Sequence, residues 1–333
     1  MTLFVIIIIG IALLYDFLNG MNDAANSIAT VVSTRVLTPF QAVLWAAFFN
    51  YSAIWFFGTE VANTIGKIIR PDLVNEYIVL GGLLGAGTWV LVCTLFGLPI
   101  SVSHSLIGGI IGPALIQYGV YDNGELVFHG EKLLKTCLFI FLAPIIGLVT
   151  GYLLIIITYW VCRKMNPRRV DVAFRALQLA SSAAFSIGHG SNDAQKTMGI
   201  IMVLLFATGN IDHMGEVPEW VKVSCYLMIS LGTMIGGWRV IKTMGMRLTH
   251  LKPVGGFSAE TAGAFTLFGT AIAGIPASTT HTITGAIMGV GMSRRFSAVK
   301  WGVAGNIMAA WILTIPASCV MAMLCYLVVR MFS

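Results

Sequence analysis

Five stretches of the chain, residues 36–59, 77–121, 136–162, 261–293 and 301–329, contain no Asp, Glu, Lys or Arg. Each is longer than the roughly 20 residues that carry a helix across a bilayer. Two further apolar segments are interrupted by polar residues that keep helical spacing. In residues 3–33 the phrase DFLNGMNDAANSIAT sets Asp16, Asn19, Asp23, Asn26, Ser27 and Thr30 on one stripe at about 100° per residue. In residues 174–208 the phrase SIGHGSNDAQKTMG does the same with Ser182, Ser186, His189, Asp193 and Thr197. A polar stripe on a helix otherwise suited to lipid marks a face turned to a cavity or to other helices. The pattern predicts an all-α polytopic membrane protein in which 36–59, 136–162, 220–238 and 301–329 are simple crossings. Gly20, in the middle of the first stripe, predicts a break there.

Residues 77–121 are too long for one crossing, and Gly-x-Pro at 97–99 divides them; 257–293 is divided in the same way at 274–276. Each reads as a re-entrant hairpin that runs in, turns and returns. The turn and the helix after it are written twice, as GLPISVSHSLIGGIIG at 97–112 and GIPASTTHTITGAIMG at 274–289. Seven of the sixteen positions are identical: Gly97/Gly274, Pro99/Pro276, Ser101/Ser278, His104/His281, Gly108/Gly285, Ile110/Ile287 and Gly112/Gly289. Asn22-Asp23-Ala24 likewise returns as Asn192-Asp193-Ala194. An internal duplication is implied, with residues 1–165 and 172–333 as two repeats of one transmembrane domain. The proline ends one helix and the Ser/Thr run caps the next. A helix start of this kind offers unpaired N–H groups, the positive dipole end and hydroxyls, a combination suited to an anion. Placed inside a membrane, it points to transport.

Charge then orients the layout. Only 10% of residues are charged and 57% are hydrophobic, against roughly 25% charged in a soluble domain. Threading the segments places Arg35 and the basic residues of 163–175, 239–252 and 294–300 on one side, thirteen Lys/Arg in all. The other side holds six: Lys67, Arg70, Lys132, Lys135, Lys222 and Arg330. The positive-inside rule makes the first side cytoplasmic, puts both termini outside, and places the protein as a multi-pass component of the cell (inner or plasma) membrane. The repeats then enter from opposite faces, an inverted-topology duplication of the kind secondary transporters use. The net charge of +6 follows from these loops and does not point to nucleic acid. The first sixteen residues lack the basic start of a cleavable signal peptide. Six scattered cysteines form no C-x-x-C pair and read as small buried apolar residues. No G-x-x-x-x-G-K-[ST], H-E-x-x-H or G-x-S-x-G occurs, so neither an enzyme nor an ATP-driven pump is expected.

Within this frame Asp23 and Asp193 are the foremost candidates for the coupling cation, because a carboxylate in hydrocarbon must be paired, protonated or bound to a cation. Asn22, Asn26 and Asn192 supply oxygen ligands beside them or hold the helices together. Ser101, Ser103, Ser105, Ser278, Thr279, Thr280 and Thr282 are hydroxyls placed for an oxyanion, alongside ordinary capping. Lys196 neutralises the anion or pairs with Asp193. Glu260 is a cation or proton site or a cap, and Asp16 is a weaker case. His104 and His281 are proton carriers or satisfied core residues.

Together, NGMNDAANSIAT, GHGSNDAQKTMG, GLPISVSHSLIGG and GIPASTTHTITG resemble the inorganic phosphate transporter (PiT) family, its bacterial branch most closely. The resemblance covers nearly the whole chain. It implies a cation–phosphate symporter built from inverted repeats, and a homodimer. It also implies that phosphate is held by Asn22, Ser101, Val102, Ser103, Ser105, Asn192, Ser278, Thr279, Thr280, Thr282 and Lys196. Asp23, Asn26, Asp193, Gln195 and Glu260 then serve the coupling cation, with Na⁺ at Asp23 and Asp193 if sodium is that ion; Glu260 in GFSAETAGAF matches a functional acidic position of the family. No other cofactor is expected. Gln195 and Lys196 stand where many members have Ala and Asn, and Asn50 stands where animal members carry Glu. Both features resemble the bacterial branch, in which protons or metal–phosphate complexes are often implicated. The expected activity is phosphate import coupled to Na⁺ or H⁺ by alternating access. The alternatives are symport of sulfate or another oxyanion, an intramembrane hydrolase using Ser103 or Ser105 with His104, and a passive channel.

Overall fold

The computed structural model describes residues 1–332, without the side chains of Lys132 and Met246; part of the charge count above, at Lys132, therefore lies outside the described side chains. The described chain is almost entirely helical. Its helices are α1 (Leu3–Ser33), α2 (Pro39–Ser52), α3 (Glu60–Ile65), α4 (Glu76–Phe96), α5 (Val102–Tyr118), α6 (Gly130–Cys162), α7 (Pro167–Ala207), α8 (Glu219–Ile235), α9 (Trp238–Lys242), α10 (Pro253–Ile272), α11 (Thr279–Met292) and α12 (Trp301–Met331). A two-stranded hairpin, Tyr121–Asp122 with Glu125–Leu126, joins α5 to α6. Leu3–Ser33, Glu76–Phe96, Leu133–Cys162 and Trp301–Met331 are long and apolar enough to cross a membrane, as is the pair Glu219–Ile235 and Trp238–Gly245 taken as one span bent by 64°.

Both helix–break–helix hairpins form where expected. In each, a glycine in the left-handed region ends the incoming helix, Gly97 at φ 72° and Gly274 at φ 63°. Few residues other than glycine tolerate this conformation. Ser101 then caps α5 by accepting from the His104 N–H, and Ser278 caps α11 by accepting from the His281 N–H, both at 3.3 Å.

Four expectations are corrected. α1 runs unbroken through Gly20; the missing side chain instead makes room for the Ile229 carbonyl of α8, against which an added Cβ would collide. Residues 36–59 are not one crossing: α2 has 14 residues, about 21 Å of helix, followed by a 3₁₀ turn at Ala53–Trp55 and the separate helix α3. Residues 220–238 end as a helix at Ile235, and the chain bends at Gly236-Gly237. The basic segment 163–175 is mostly helix: α7 begins at Pro167, capped by the Asn166 side chain, so Arg168, Arg169 and Arg175 lie on its first turns.

Packing follows a pattern that survives exchange of α1–α6 for α7–α12. α5 packs on α12 as α11 packs on α6, α1 on α8 as α7 on α2, and α4 on α12 as α10 on α6. The first pair of contacts is made at glycines four apart. Gly108 and Gly112 of α5 leave room for the backbone of Ile315 and Cys319, and Gly285 and Gly289 of α11 do so for Pro144 and Leu148. Small residues at this spacing let helix backbones approach in lipid. The outer faces of α6 and α12 remain apolar and exposed, with Ile145, Leu153, Ile157, Ile312, Val320 and Leu324 turned outward. The polar stripes of α1 and α7 are inside.

Candidate functional site

The polar stripes of α1 and α7 converge on the first turns of α5 and α11. Asp23 and Asp193 are 3% and 1% exposed, and the threonines that open α11 link them. Thr279 Oγ1 lies 3.0 Å from Asp193 Oδ2 and 3.4 Å from Asp23 Oδ2. Thr280 Oγ1 donates to Asp23 Oδ1 at 3.2 Å. Asn26 Nδ2, one turn along α1, donates to Thr279 at 3.2 Å and to Thr280 at 3.0 Å.

Across the site Lys196 of α7 reaches both α5 and the break before α11. Its Nζ donates to Ser103 Oγ of α5 at 2.5 Å, to Asp193 Oδ1 one turn back on α7, and to the backbone carbonyl of Ala277 in the second break at 2.9 Å. An ammonium has three donors, and all three are taken. On the other side of Asp193, His189 Nε2 lies 3.1 Å from Oδ2, and His189 Nδ1 is 3.0 Å from Asn50 Oδ1. Asn50 in turn donates to Thr233 at 2.9 Å.

Ligand atoms of Asp23, His189 and Asp193 lie within 4.8 Å of one another. With the hydroxyls of Thr279 and Thr280 beside them, the donor set is rich in hard oxygen, which fits an alkali cation. The asparagines of the two Asn-Asp motifs are anchored through their amide groups. Asn22 Nδ2 donates to Thr94 Oγ1 at 2.7 Å, and the Thr94 hydroxyl donates to the Val90 carbonyl at 2.7 Å. Asn192 reaches the Leu267 carbonyl directly at 3.0 Å. Among the described residues, the buried Oδ1 atoms of both asparagines have no partner. Such orphans are uncommon in protein interiors and costly, and an acceptor of this kind suits a cation or a protonated phosphate oxygen.

Not every expected residue joins the centre. Ser101 and Ser278 cap their helices. The Val102 carbonyl accepts from Tyr15 at 2.8 Å. Ser105 donates to the Ala86 carbonyl at 3.0 Å and Thr282 to the Ser278 carbonyl at 2.9 Å. Gln195 turns away and accepts from the Val61 and Ala62 N–H groups at 3.0 and 3.4 Å, serving as a side-chain cap for α3. Glu260 belongs to a second buried cluster: Thr30 and Ser181 each donate to it at 2.5 Å and Gln178 at 3.1 Å. Thr30 follows Asp23 by seven residues, so this cluster lies about 10 Å along α1 from the first. Asp16 accepts from Thr197 at 3.0 Å.

The Ser–His arrangement of a hydrolase does not form. Ser103 meets Lys196, Ser105 meets a backbone carbonyl, and the His104 ring packs on His281. His189, the Ala277 carbonyl and the ring around Glu260 (Thr30, Gln178, Ser181) join the buried polar clusters without being among the residues the sequence marks as ligands. His189 carried a signal, lying four residues before Asp193 on the same stripe; a backbone carbonyl carries none.

The sequence model described as the phosphate transporter family matches residues 19–322. The chain belongs to the phosphate transporter family. It is 52% identical over 320 residues to a probable low-affinity inorganic phosphate transporter of Rhizobium meliloti (strain 1021), covering 96% of this chain and 94% of that one. It is 37% identical over 333 residues to a protein of the same description from Bacillus subtilis (strain 168), covering 98% and 97%. A solved structure described as the sodium-dependent phosphate transporter shares 25% identity and superposes with a TM-score of 0.90 over 100% of both chains. The relatives are transporters or permeases by name, so this member of the family is a membrane transporter and not an enzyme.

Proposed function

We propose that the protein is a symporter that brings inorganic phosphate into the cell together with Na⁺ or H⁺ by alternating access. One observation carries this reading: the acids of the two Asn-Asp motifs, one from each repeat, meet at a single threonine at the tip of the second hairpin. Phosphate is cradled by Ser103, Thr279 and Thr280 with the first-turn N–H groups of α5 and α11. Ser101, Val102, Ser105, Ser278 and Thr282 shape those turns, and Lys196 supplies positive charge. Asp23 and Asp193, with the free oxygens of Asn22 and Asn192, hold the cation, whose charge offsets that of the anion and makes the two bind cooperatively. The likeness to a sodium-dependent phosphate transporter favours Na⁺ at this centre. Glu260 forms a further cation or proton station. Both acids of the centre are buried, so solute reaches it only when the two halves move.

The exchangeable packing of α1–α6 and α7–α12 supports two repeats, 1–165 and 172–333, related by an axis in the membrane plane, with both termini outside the cell membrane. We further propose a homodimer joined through exposed apolar helix faces.

Uptake of ³²P-phosphate into proteoliposomes, with Na⁺ and pH gradients imposed separately, tests the function. Uptake driven by one of the gradients and insensitive to excess sulfate is expected. Uptake that needs no gradient would make the protein a channel, and full competition by sulfate would change the cargo.

A further inference from the structure

Lys196 and Asn26 hold matching places in the two repeats. Each follows its motif aspartate by three residues, and each donates to the hydroxyl two residues after a cap serine: Asn26 to Thr280 at 3.0 Å and Lys196 to Ser103 at 2.5 Å. The first repeat therefore has a neutral amide where the second has a full positive charge. That charge sits among three oxygens of different kinds, a carboxylate of Asp193, the hydroxyl of Ser103 and the backbone carbonyl of Ala277. Ala277 lies in the unwound stretch between α10 and α11. Carboxylate, hydroxyl and unwound carbonyl are the ligands that a broken membrane helix offers to a transported monovalent cation. Lys196 is 2% exposed, and none of its three donors is left for a second partner.

We propose that the Lys196 ammonium is a tethered cation that takes the place of one exchangeable coupling ion in the second repeat. The exchangeable ion then binds on the Asp23 side, where Thr279 and Thr280 reach the carboxylate, Asn26 holds both threonines, and the lysine ammonium is bonded to Asp193 instead. The inference rests on the reading of the protein as a cation-coupled phosphate transporter and assigns its stoichiometry. A tethered charge stays with the protein through the cycle, so it balances the buried carboxylates without being carried across. Removing it leaves one more negative charge for mobile cations to neutralise, and each of those is transported. Lys196 thereby sets how many positive charges accompany each phosphate.

The test is the net charge moved per phosphate, read from the reversal potential of ³²P-phosphate flux in proteoliposomes, a measure indifferent to whether Na⁺ or H⁺ is carried. Lys196→Asn, which copies the first repeat, is expected to move one more positive charge inward per phosphate than the wild type and to steepen the Na⁺ or H⁺ dependence of uptake. An unchanged ratio with weaker phosphate affinity would overturn the proposal and make Lys196 a phosphate ligand. A second measurement covers variants that bind but do not transport. Thermal unfolding of Lys196→Asn and Lys196→Met in detergent, in NaCl against choline chloride and over a pH series, should show a cation-dependent rise in midpoint larger than that of the wild type. Equal rises would overturn the proposal. Wild-type protein that moves phosphate under neither gradient would instead sink the transport reading itself, a result separate from either outcome for the variants.

Discussion

His104 and His281, the same residue of the two copies of the repeated phrase, meet ring against ring, with centroids 4.7 Å apart and planes at 76°. His281 is also stacked on Trp311 at 3.7 Å, and Trp311 Nε1 donates to the Pro99 carbonyl at 3.0 Å. The two helix starts therefore touch in the protein interior, each held by α12 or by the other. Opening of the centre is therefore expected to part this contact. With the native cysteines replaced, His104→Cys with His281→Cys should be bridged by Cd²⁺ or a short bifunctional thiol reagent. Uptake should stop on bridging and return on chelation or reduction; undiminished uptake in the bridged protein would place the moving parts elsewhere.

Asp23→Asn and Asp193→Asn should each reduce phosphate uptake to that of empty liposomes while the protein still elutes as folded. The substitutions keep shape and remove, at Asp23, the charge that holds the coupling cation and, at Asp193, the charge that holds Lys196. For Asp193→Asn a second effect is expected, since Lys196 is left buried without its carboxylate. Breaking such a pair costs about 3–5 kcal/mol, so its unfolding midpoint should fall further than that of Asp23→Asn. Transport by both variants at the wild-type rate would remove these acids from the mechanism.

Ser103 and Ser101 are two residues apart and should behave differently. Ser103→Ala deletes a hydroxyl that faces the centre and should raise the KM for phosphate. Ser101→Ala deletes a helix cap, at about 1 kcal/mol of stability, and should lower the unfolding midpoint with little change in KM. Uptake kinetics and thermal unfolding of the same two preparations separate the roles.

Glu260 receives three donors and offers none back. Glu260→Gln turns an amide N–H₂ toward groups that are themselves donors. Leaving a buried polar group unsatisfied costs about 1–3 kcal/mol. Reduced thermal stability together with slowed uptake is expected; slowed uptake at unchanged stability would mean that the cluster rearranges around the amide.

Gly285→Leu and Gly108→Leu should be among the most damaging changes remote from the acids. Each drives a side chain into a neighbouring backbone, at Pro144 and at Ile315. Overpacking of this kind costs about 1–3 kcal/mol, and the hairpins it displaces carry the threonines and serines of the centre. Loss of folded protein by size-exclusion chromatography, with partial recovery at alanine, is the expected result.

Much of this protein is written in one dimension. The charge-free runs dictate helices in lipid because no other element but a closed barrel satisfies its own backbone there. The duplicated Gly-x-Pro and Asn-Asp phrases announce two broken hairpins and a pair of acids, because a left-handed glycine, a proline and a capping serine act within one turn of chain. What the sequence left open lies between segments. Gly20 looked like a hinge and is instead a gap filled by Ile229, since whether a glycine bends a helix or admits a neighbour depends on what packs against it. Residues 36–59 had the length of a crossing, yet α2 stops at Ser52, and the next helix, α3, starts only at Glu60, capped by Gln195 from a distant helix. Seven hydroxyls looked alike as candidate ligands. Only their orientation in the packed bundle distinguished Ser103, Thr279 and Thr280 from those that cap or tie a backbone. Local steric and hydrogen-bonding rules thus determined which elements exist and where they break, while the partners of Asp193, Lys196 and Glu260 were decided only when residues up to 230 positions apart were brought within a hydrogen bond of each other.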